Sequence, residues 1–91
     1  MPKKENSPTA LKLLAILNNI NELIVLSNDR QSARDVMKAF RVYASDKGFD
    51  ISEDKIENFL AILIDSRPYT LSYLIQEIAK DVIAHDRNLD R

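Results

Sequence analysis

Few side chains in this sequence could serve as nucleophiles, general acids or bases, or metal ligands. His85 is the only histidine, and cysteine is absent. Glu53 with Glu57, and Glu77 with Asp81, are each four residues apart, so a helix would place each pair on one face, as an acid–base or metal pair requires. A nucleophile also needs an adjacent base and an orienting group, and a transition metal needs several His or Cys ligands. We therefore expect no enzyme activity, no cofactor and no metal, with His85 half-buried and the carboxylates on a solvated surface.

The charges nearly cancel overall but are unevenly distributed. Thirteen Lys and Arg residues face fourteen Asp and Glu residues, for a formal net charge of −1. Residues 1–27 sum to +1, residues 28–49 to +2 and residues 50–91 to −4, so the C-terminal half is the acidic one. The total gives no global attraction to nucleic acid or membrane. The opening residues lack an apolar stretch, and no apolar run reaches the ~18 residues of a membrane span, so we expect a cytoplasmic protein.

A basic ribbon is the sharpest surface feature of the sequence. At roughly 100° per residue, Arg30, Arg34, Lys38 and Arg41 fall within an arc of about 80°, opposite the apolar stripe of the predicted second helix. We expect these four residues to bind a partner protein with an acidic surface. The alternative is a solvated face neutralised by Asp35 and by acids of neighbouring helices. Lipid is disfavoured, because the opposite face would have to insert and is needed for the core.

Start and stop signals predict four helices packed as an all-α, antiparallel four-helix bundle. Ser7 followed by proline, the polar run at 27–29, and Ser52 are typical N-caps, and Thr70 is expected to cap the last helix. Gly48, the only glycine, fits the left-handed position of a Schellman ending. The predicted helices span about 8–26, 30–47, 53–65 and 70–86. Residues 1–7 are expected to form a flexible basic tail, and residues 8–91 a single domain with a frayed C-terminal end.

The first predicted helix is apolar nearly all round. Leu11, Val25 and Leu26 fall outside its main apolar stripe, so a four-helix monomer would leave them uncovered. We therefore expect a homodimer with these three residues at its interface, because isologous interfaces commonly bury surplus apolar surface.

One stretch resembles the incoming helix and loop of a calmodulin-type EF-hand: Ala-Phe-Arg-Val-Tyr at 39–43, followed by Ile-Ser at 51–52. The first and third loop ligands, the invariant glycine and the bidentate twelfth ligand would then fall on Ala44, Asp46, Phe49 and Lys55. The family's calcium site needs an acid at the first position and glutamate at the twelfth, and both are missing. The resemblance therefore implies, as one alternative, a degenerate EF-hand-like scaffold without calcium.

A second alternative is a DNA-binding transcriptional regulator that uses the third and fourth helices as a helix-turn-helix. The start of its recognition helix would carry Arg67, Tyr69, Thr70, Ser72 and Tyr73. Acids along the same helix oppose the phosphate contacts on which such complexes depend. The sequence favours a small non-enzymatic interaction or regulatory module, of inhibitor or immunity type, that binds protein and not nucleic acid. In size and helical layout it is similar to small immunity-type and regulator-binding bundles.

Overall fold

The computed structural model describes the backbone of residues 7–89 and the side chains of residues 7–87. Its helices are α1 (Pro8–Val25), α2 (Arg30–Asp46), α3 (Glu53–Ile62) and α4 (Pro68–Leu89). The prediction of an all-α four-helix bundle is confirmed. The flexible tail was predicted for residues that, apart from Ser7, lie outside the described part. Within that part, no helix is both long and apolar enough to cross a bilayer.

The helices form a closed ring in which consecutive helices pack against each other and α1 packs against α4. Hydrogen bonds join the start of α1 to the end of α4, through Ser7 and Asp86, and the start of α2 to the end of α3, through Arg30 and Leu63. Neighbouring helices are therefore antiparallel. All four contribute to one apolar core, whose largest fully buried side chains are Phe40, Phe59, Leu13, Leu17, Ile20, Ile24, Met37, Ile56, Leu63, Leu71, Ile78 and Val82.

Local signals account for the beginnings of the first two helices. The Ser7 hydroxyl accepts a hydrogen bond from the N–H of Ala10 at 3.1 Å, and proline occupies the first helical position. Asp29 caps α2 in the same way, because its carboxylate accepts the N–H of Ser32 at 3.0 Å. Both caps satisfy backbone donors that a helix leaves without an internal partner.

The end of α2 has the geometry of a Schellman motif. Gly48 has a φ of +83°, its N–H donates to the carbonyl of Ser45 at 3.0 Å, and the N–H of Phe49 donates to the carbonyl of Ala44 at 2.8 Å. Phe49 is buried in the core, so the chain leaves the helix with an apolar anchor. Asn28, after α1, is also left-handed, with a φ of +54°.

Helix boundaries in the second half differ from the sequence prediction. The third helix ends at Ile62 and is followed by a turn, so it is three residues shorter than expected. The fourth begins at Pro68, and its first backbone bond runs from the N–H of Leu71 to the carbonyl of Arg67 at 3.2 Å. Thr70, expected as the cap, lies inside the first turn. The N–H of the first helical residue has no partner within a helix, so proline loses nothing at that position by lacking one. Pro68 is therefore the first residue of the helix and does not lie before it.

The start of α3 also differs from the prediction. Ser52 is at the N-cap position, but its side chain makes no capping hydrogen bond. Its backbone N–H donates instead to the carboxylate of Asp81 on α4, at 3.2 Å. Ile51 and Ile56, on either side of the N-cap, are both buried, as in a hydrophobic staple. The start of this helix is therefore fixed by a contact from another helix.

Candidate partner-binding groove

A groove of about 790 Å³ runs between α2 and α3. All four residues of the predicted basic ribbon line it, together with Gln31 and Glu57. The remaining lining is apolar and comprises Val42, Leu60, Ala61, Leu63 and Ile64. We call this feature the α2/α3 groove. It brings the basic ribbon beside apolar side chains of the opposite helix.

Arg30 closes one end of the α2/α3 groove. Its Nη1 donates to the backbone carbonyl of Leu63 and, at 3.0 Å, to that of Ser66, with the carbonyl of Ile64 at 3.5 Å. These carbonyls follow the end of α3, where a helix leaves acceptors without internal partners and favours a positive charge. The Arg30 guanidinium therefore holds the end of α3 against the start of α2 through Nη1, while its buried Nε has no hydrogen-bond partner among the described residues.

Arg41 closes the other end of the groove through an ion pair between helices. Its guanidinium bonds Glu57 and also lies 3.4 Å from a carboxylate oxygen of Glu53. The hydrogen bond to Glu57 is the main reason why the pKa of Arg41 is raised. Glu53 and Glu57, considered from sequence as an acid–base or metal pair, are thus the partners of one arginine. The groove lies between two arginine contacts that fasten α2 to α3.

The middle of the groove carries two cations that have no such partner among the described residues. Arg34 and Lys38 are exposed, lie one helical turn apart, and make no ion pair or side-chain hydrogen bond within residues 7–87. Asp35 was considered as a neutralising neighbour, but within residues 7–87 it forms no ion pair, and its carboxylate accepts a hydrogen bond from Gln31 at 3.3 Å. The positive charge on this wall is therefore open to an incoming anion.

Two exposed apolar side chains flank these cations. Ile64 is 83% exposed and Val42 is 67% exposed, and both line the groove. Neither residue was predicted from the sequence to be part of a site. Val42 falls outside the apolar stripe of α2, and Ile64, which lies in the turn after α3, falls outside the stripe of the third helix as predicted over 53–65. The same signal singled out Leu11 and Val25 on α1 and could have found this pair too.

Glu77, Asp81 and His85, the other residues considered for chemistry, each contact another side chain, and the buried Nε2 of His85 has no hydrogen-bond partner among the described residues. Asp81 pairs with Lys55 at 2.8 Å, whereas Glu77 pairs with Lys80 at 2.9 Å and thereby raises the pKa of that lysine. The His85 ring packs on Phe49 with a centroid separation of 4.9 Å. Within the part of the chain that the structure describes, no group of three or more His, Asp or Glu side chains could hold a metal ion.

The EF-hand resemblance falls on a segment organised by the Schellman ending. Ala44 and Phe49, at the first-ligand and glycine positions of that motif, are both core residues. Asp46 is exposed, and the Lys55 ammonium, at the twelfth position, bonds Asp81. The positions that a calcium loop would use are therefore occupied mainly by apolar residues and a lysine, and they offer few oxygen ligands.

The predicted dimer residues lie on the outer side of α1. Leu11 and Val25 are 55% and 50% exposed, lie fourteen residues apart on the same helical face, and have Asn18 midway between them. Leu26, 77% exposed, follows the end of the helix. These residues are therefore left uncovered by the other three helices.

The residues considered for DNA contact lie at the start of α4. Arg67, Tyr69 and Tyr73 are exposed. The Ser72 hydroxyl, however, donates a hydrogen bond to the side chain of Asn21 on α1, so part of the supposed recognition surface packs inside the bundle.

Fold and groove together define the class of the molecule: an antiparallel four-helix bundle with a basic-walled, apolar-lined groove between its second and third helices. No family model, no curated protein and no solved structure matches the chain.

Proposed function

We propose that this protein is a small, non-enzymatic interaction or regulatory module, of inhibitor or immunity type, which binds an acidic partner protein through the α2/α3 groove. The observation that carries the proposal is the combination of Arg34 and Lys38, unpaired within the described residues, with exposed Val42 and Ile64 in one concave surface. A face that is merely solvated needs no exposed apolar residues. Apolar area bordered by charge is instead the usual anatomy of a protein interface.

The two ends of the groove support this use. Arg30 and Arg41 hold α2 and α3 in place through contacts within the bundle, so the surface between them is preformed. A preformed surface loses little conformational freedom on binding. The cations between them would steer an acidic partner and accelerate association, an effect that salt weakens.

We also propose that the chain forms a homodimer through the outer face of α1. Leu11 and Val25 are equidistant from Asn18, so a two-fold axis at Asn18 with antiparallel helices would pack each Leu11 against the partner's Val25. Light scattering over a range of concentrations should give the dimer mass, and Val25→Asp should give the monomer mass. A wild-type mass equal to the monomer at every concentration would refute the dimer.

Affinity capture tests the groove. The tagged protein, the double variant Arg34→Glu/Lys38→Glu, and the charge-matched control Lys12→Glu/Arg67→Glu are incubated with extract of the cells that express it. The control residues are exposed and lie outside the groove. We expect at least one protein to be retained by the wild type and the control and lost by the groove variant. Retention of every partner by the groove variant would contradict the proposed surface.

A second measurement distinguishes a protein partner from the DNA-binding alternative. Generic labelled duplex DNA is titrated with the wild type at low and at physiological salt. Absence of binding at both salt concentrations supports a protein partner. Binding that persists at physiological salt would favour the alternative.

A further inference from the structure

We infer that the occupant of the α2/α3 groove is an acidic amphipathic helix of about three turns, with apolar side chains against Val42, Leu60 and Ile64 and carboxylates over Arg34 and Lys38. The inference rests on the proposed function and specifies the chemistry of the partner. Length, backbone chemistry and charge each contribute a separate argument.

The length follows from the two arginine contacts. Arg30 and Arg41 mark the ends of the open groove, and Arg41 follows Arg30 by eleven positions along α2. At ~1.5 Å of rise per residue this span is about 16 Å, or about three helical turns. A segment much longer than this would have to pass over the ion pair of Arg41 with Glu57.

The lining favours a helix over an extended strand. An extended segment leaves its backbone N–H and C=O groups to be satisfied by the surface it binds. The side chains of Val42, Leu60, Ala61 and Ile64 offer no hydrogen bond, and Arg34 and Lys38 offer only donors. The two other polar side chains of the lining, Gln31 and Glu57, already bond Asp35 and Arg41. A helix satisfies its own backbone and presents side chains alone, which suits an apolar groove between two helices.

The position of the free cations sets the position of the partner's acids. Arg34 and Lys38 are one turn apart on α2, so carboxylates three or four residues apart on the bound helix would match both of them. Apolar side chains on the adjoining face of that helix would then cover Ile64, which is 83% exposed without them. Glu57 at the end of the groove pairs with Arg41 and would repel a continuous phosphate backbone, which also lacks apolar groups to insert.

Synthetic peptides test this chemistry directly. The probe is a labelled eleven-residue peptide of leucine, glutamate and alanine, with the leucines on one face and the glutamates along its edge. A scrambled peptide of the same composition distributes its leucines around the helix, and a third peptide carries lysine in place of glutamate. Anisotropy titrations use the full chain. We expect the first peptide to bind, the scrambled one to bind about tenfold more weakly, and the lysine peptide not to bind.

Two variants locate the binding. Ile64→Ser should weaken binding of the first peptide by about tenfold, since the substitution removes an exposed apolar contact. Arg34→Glu/Lys38→Glu should abolish binding. Lys12→Glu/Arg67→Glu should bind as the wild type does. Unchanged circular-dichroism melting curves for all variants establish that the fold is retained.

Three outcomes would overturn the inference. Equal binding of the amphipathic and scrambled peptides would mean that charge alone is recognised. The amphipathic peptide could fail to bind at about 1 mM while the groove variant still fails to retain the partner protein in affinity capture. That result would reject the acidic helix as the occupant and leave the proposed function intact. Displacement of the bound peptide by duplex DNA, with both ligands lost in the groove variant, would assign the groove to nucleic acid.

Discussion

The buried carboxylate of Asp86, near the end of α4, accepts a hydrogen bond from the backbone N–H of Ser7 at 3.0 Å, across 79 residues of sequence. Ser7 is the N-cap of α1, so the carboxylate lies at a helix N-terminus, where negative charge is favoured. Asp81 has the same relationship to Ser52 at the start of α3. One helix thus supplies an acidic contact to the beginnings of both helices that run antiparallel to it.

Replacing Asp86 with alanine should destabilise the bundle by about 1 to 3 kcal/mol, because the N–H of Ser7 would lose its partner in a partly buried setting. Asp86→Asn keeps an oxygen acceptor and should cost less. Urea denaturation followed by circular dichroism gives both values. Equal midpoints for the wild type and the alanine variant would show that the contact contributes nothing to stability.

The cap of α3 should depend on Asp81 more than on Ser52. The Ser52 side chain makes no capping bond, so Ser52→Ala should change stability by less than about 0.5 kcal/mol. Asp81→Ala removes both the acceptor of the Ser52 N–H and the partner of Lys55, and should cost about 1 to 2 kcal/mol. The same urea series compares the two. A larger loss of stability for Ser52→Ala than for Asp81→Ala would mean that the Ser52 side chain caps α3, as the sequence predicts.

The helix starts and ends that depend on residues close in sequence could be predicted from the sequence. Ser7 with its following proline, and Gly48, act within a few residues of their own position, and the structure has both where the sequence places them. The predicted cap at Thr70 was wrong for an equally local reason, since Pro68 itself can begin the helix.

Contacts between distant residues could not be read from the sequence. Periodicity placed Arg30 and Arg41 on one face of α2 but could not reveal that Arg30 would bond the end of α3 or that Arg41 would pair with Glu57. Those contacts depend on how two antiparallel helices align. Once they are known, the uniform basic ribbon divides into two structural arginines and the open pair Arg34 and Lys38.

Gly48→Ala should destabilise the domain by about 1 kcal/mol, because alanine is strained at a φ of +83°. Among the described residues, no atom beyond the adjoining chain lies within 4 Å of the position that a Cβ would occupy, so the cost should come from the backbone conformation and not from a clash with packed neighbours. Gly48→Asn is the matched control, since asparagine adopts the left-handed conformation more readily and should cost less. Equal losses for the two substitutions in thermal denaturation would contradict this explanation.

Acid should weaken the bundle partly through Asp29, the cap of α2. Hydrogen bonding by the Ser32 side chain, and secondarily by its backbone N–H, lowers the pKa of Asp29 from its ordinary value of 3.8. Because the pKa in the folded state is the lower one, the stabilisation is complete above the unfolded-state pKa and is lost as the pH falls through the folded-state value. Asp29→Asn retains a capping oxygen but does not titrate, so it should match the wild type near neutrality and lose less stability between about pH 5 and about pH 2. Urea midpoints measured across this range for both proteins give the comparison, in which other carboxylates contribute equally to each. Parallel curves for the two proteins would mean that the Asp29 cap does not depend on its charge.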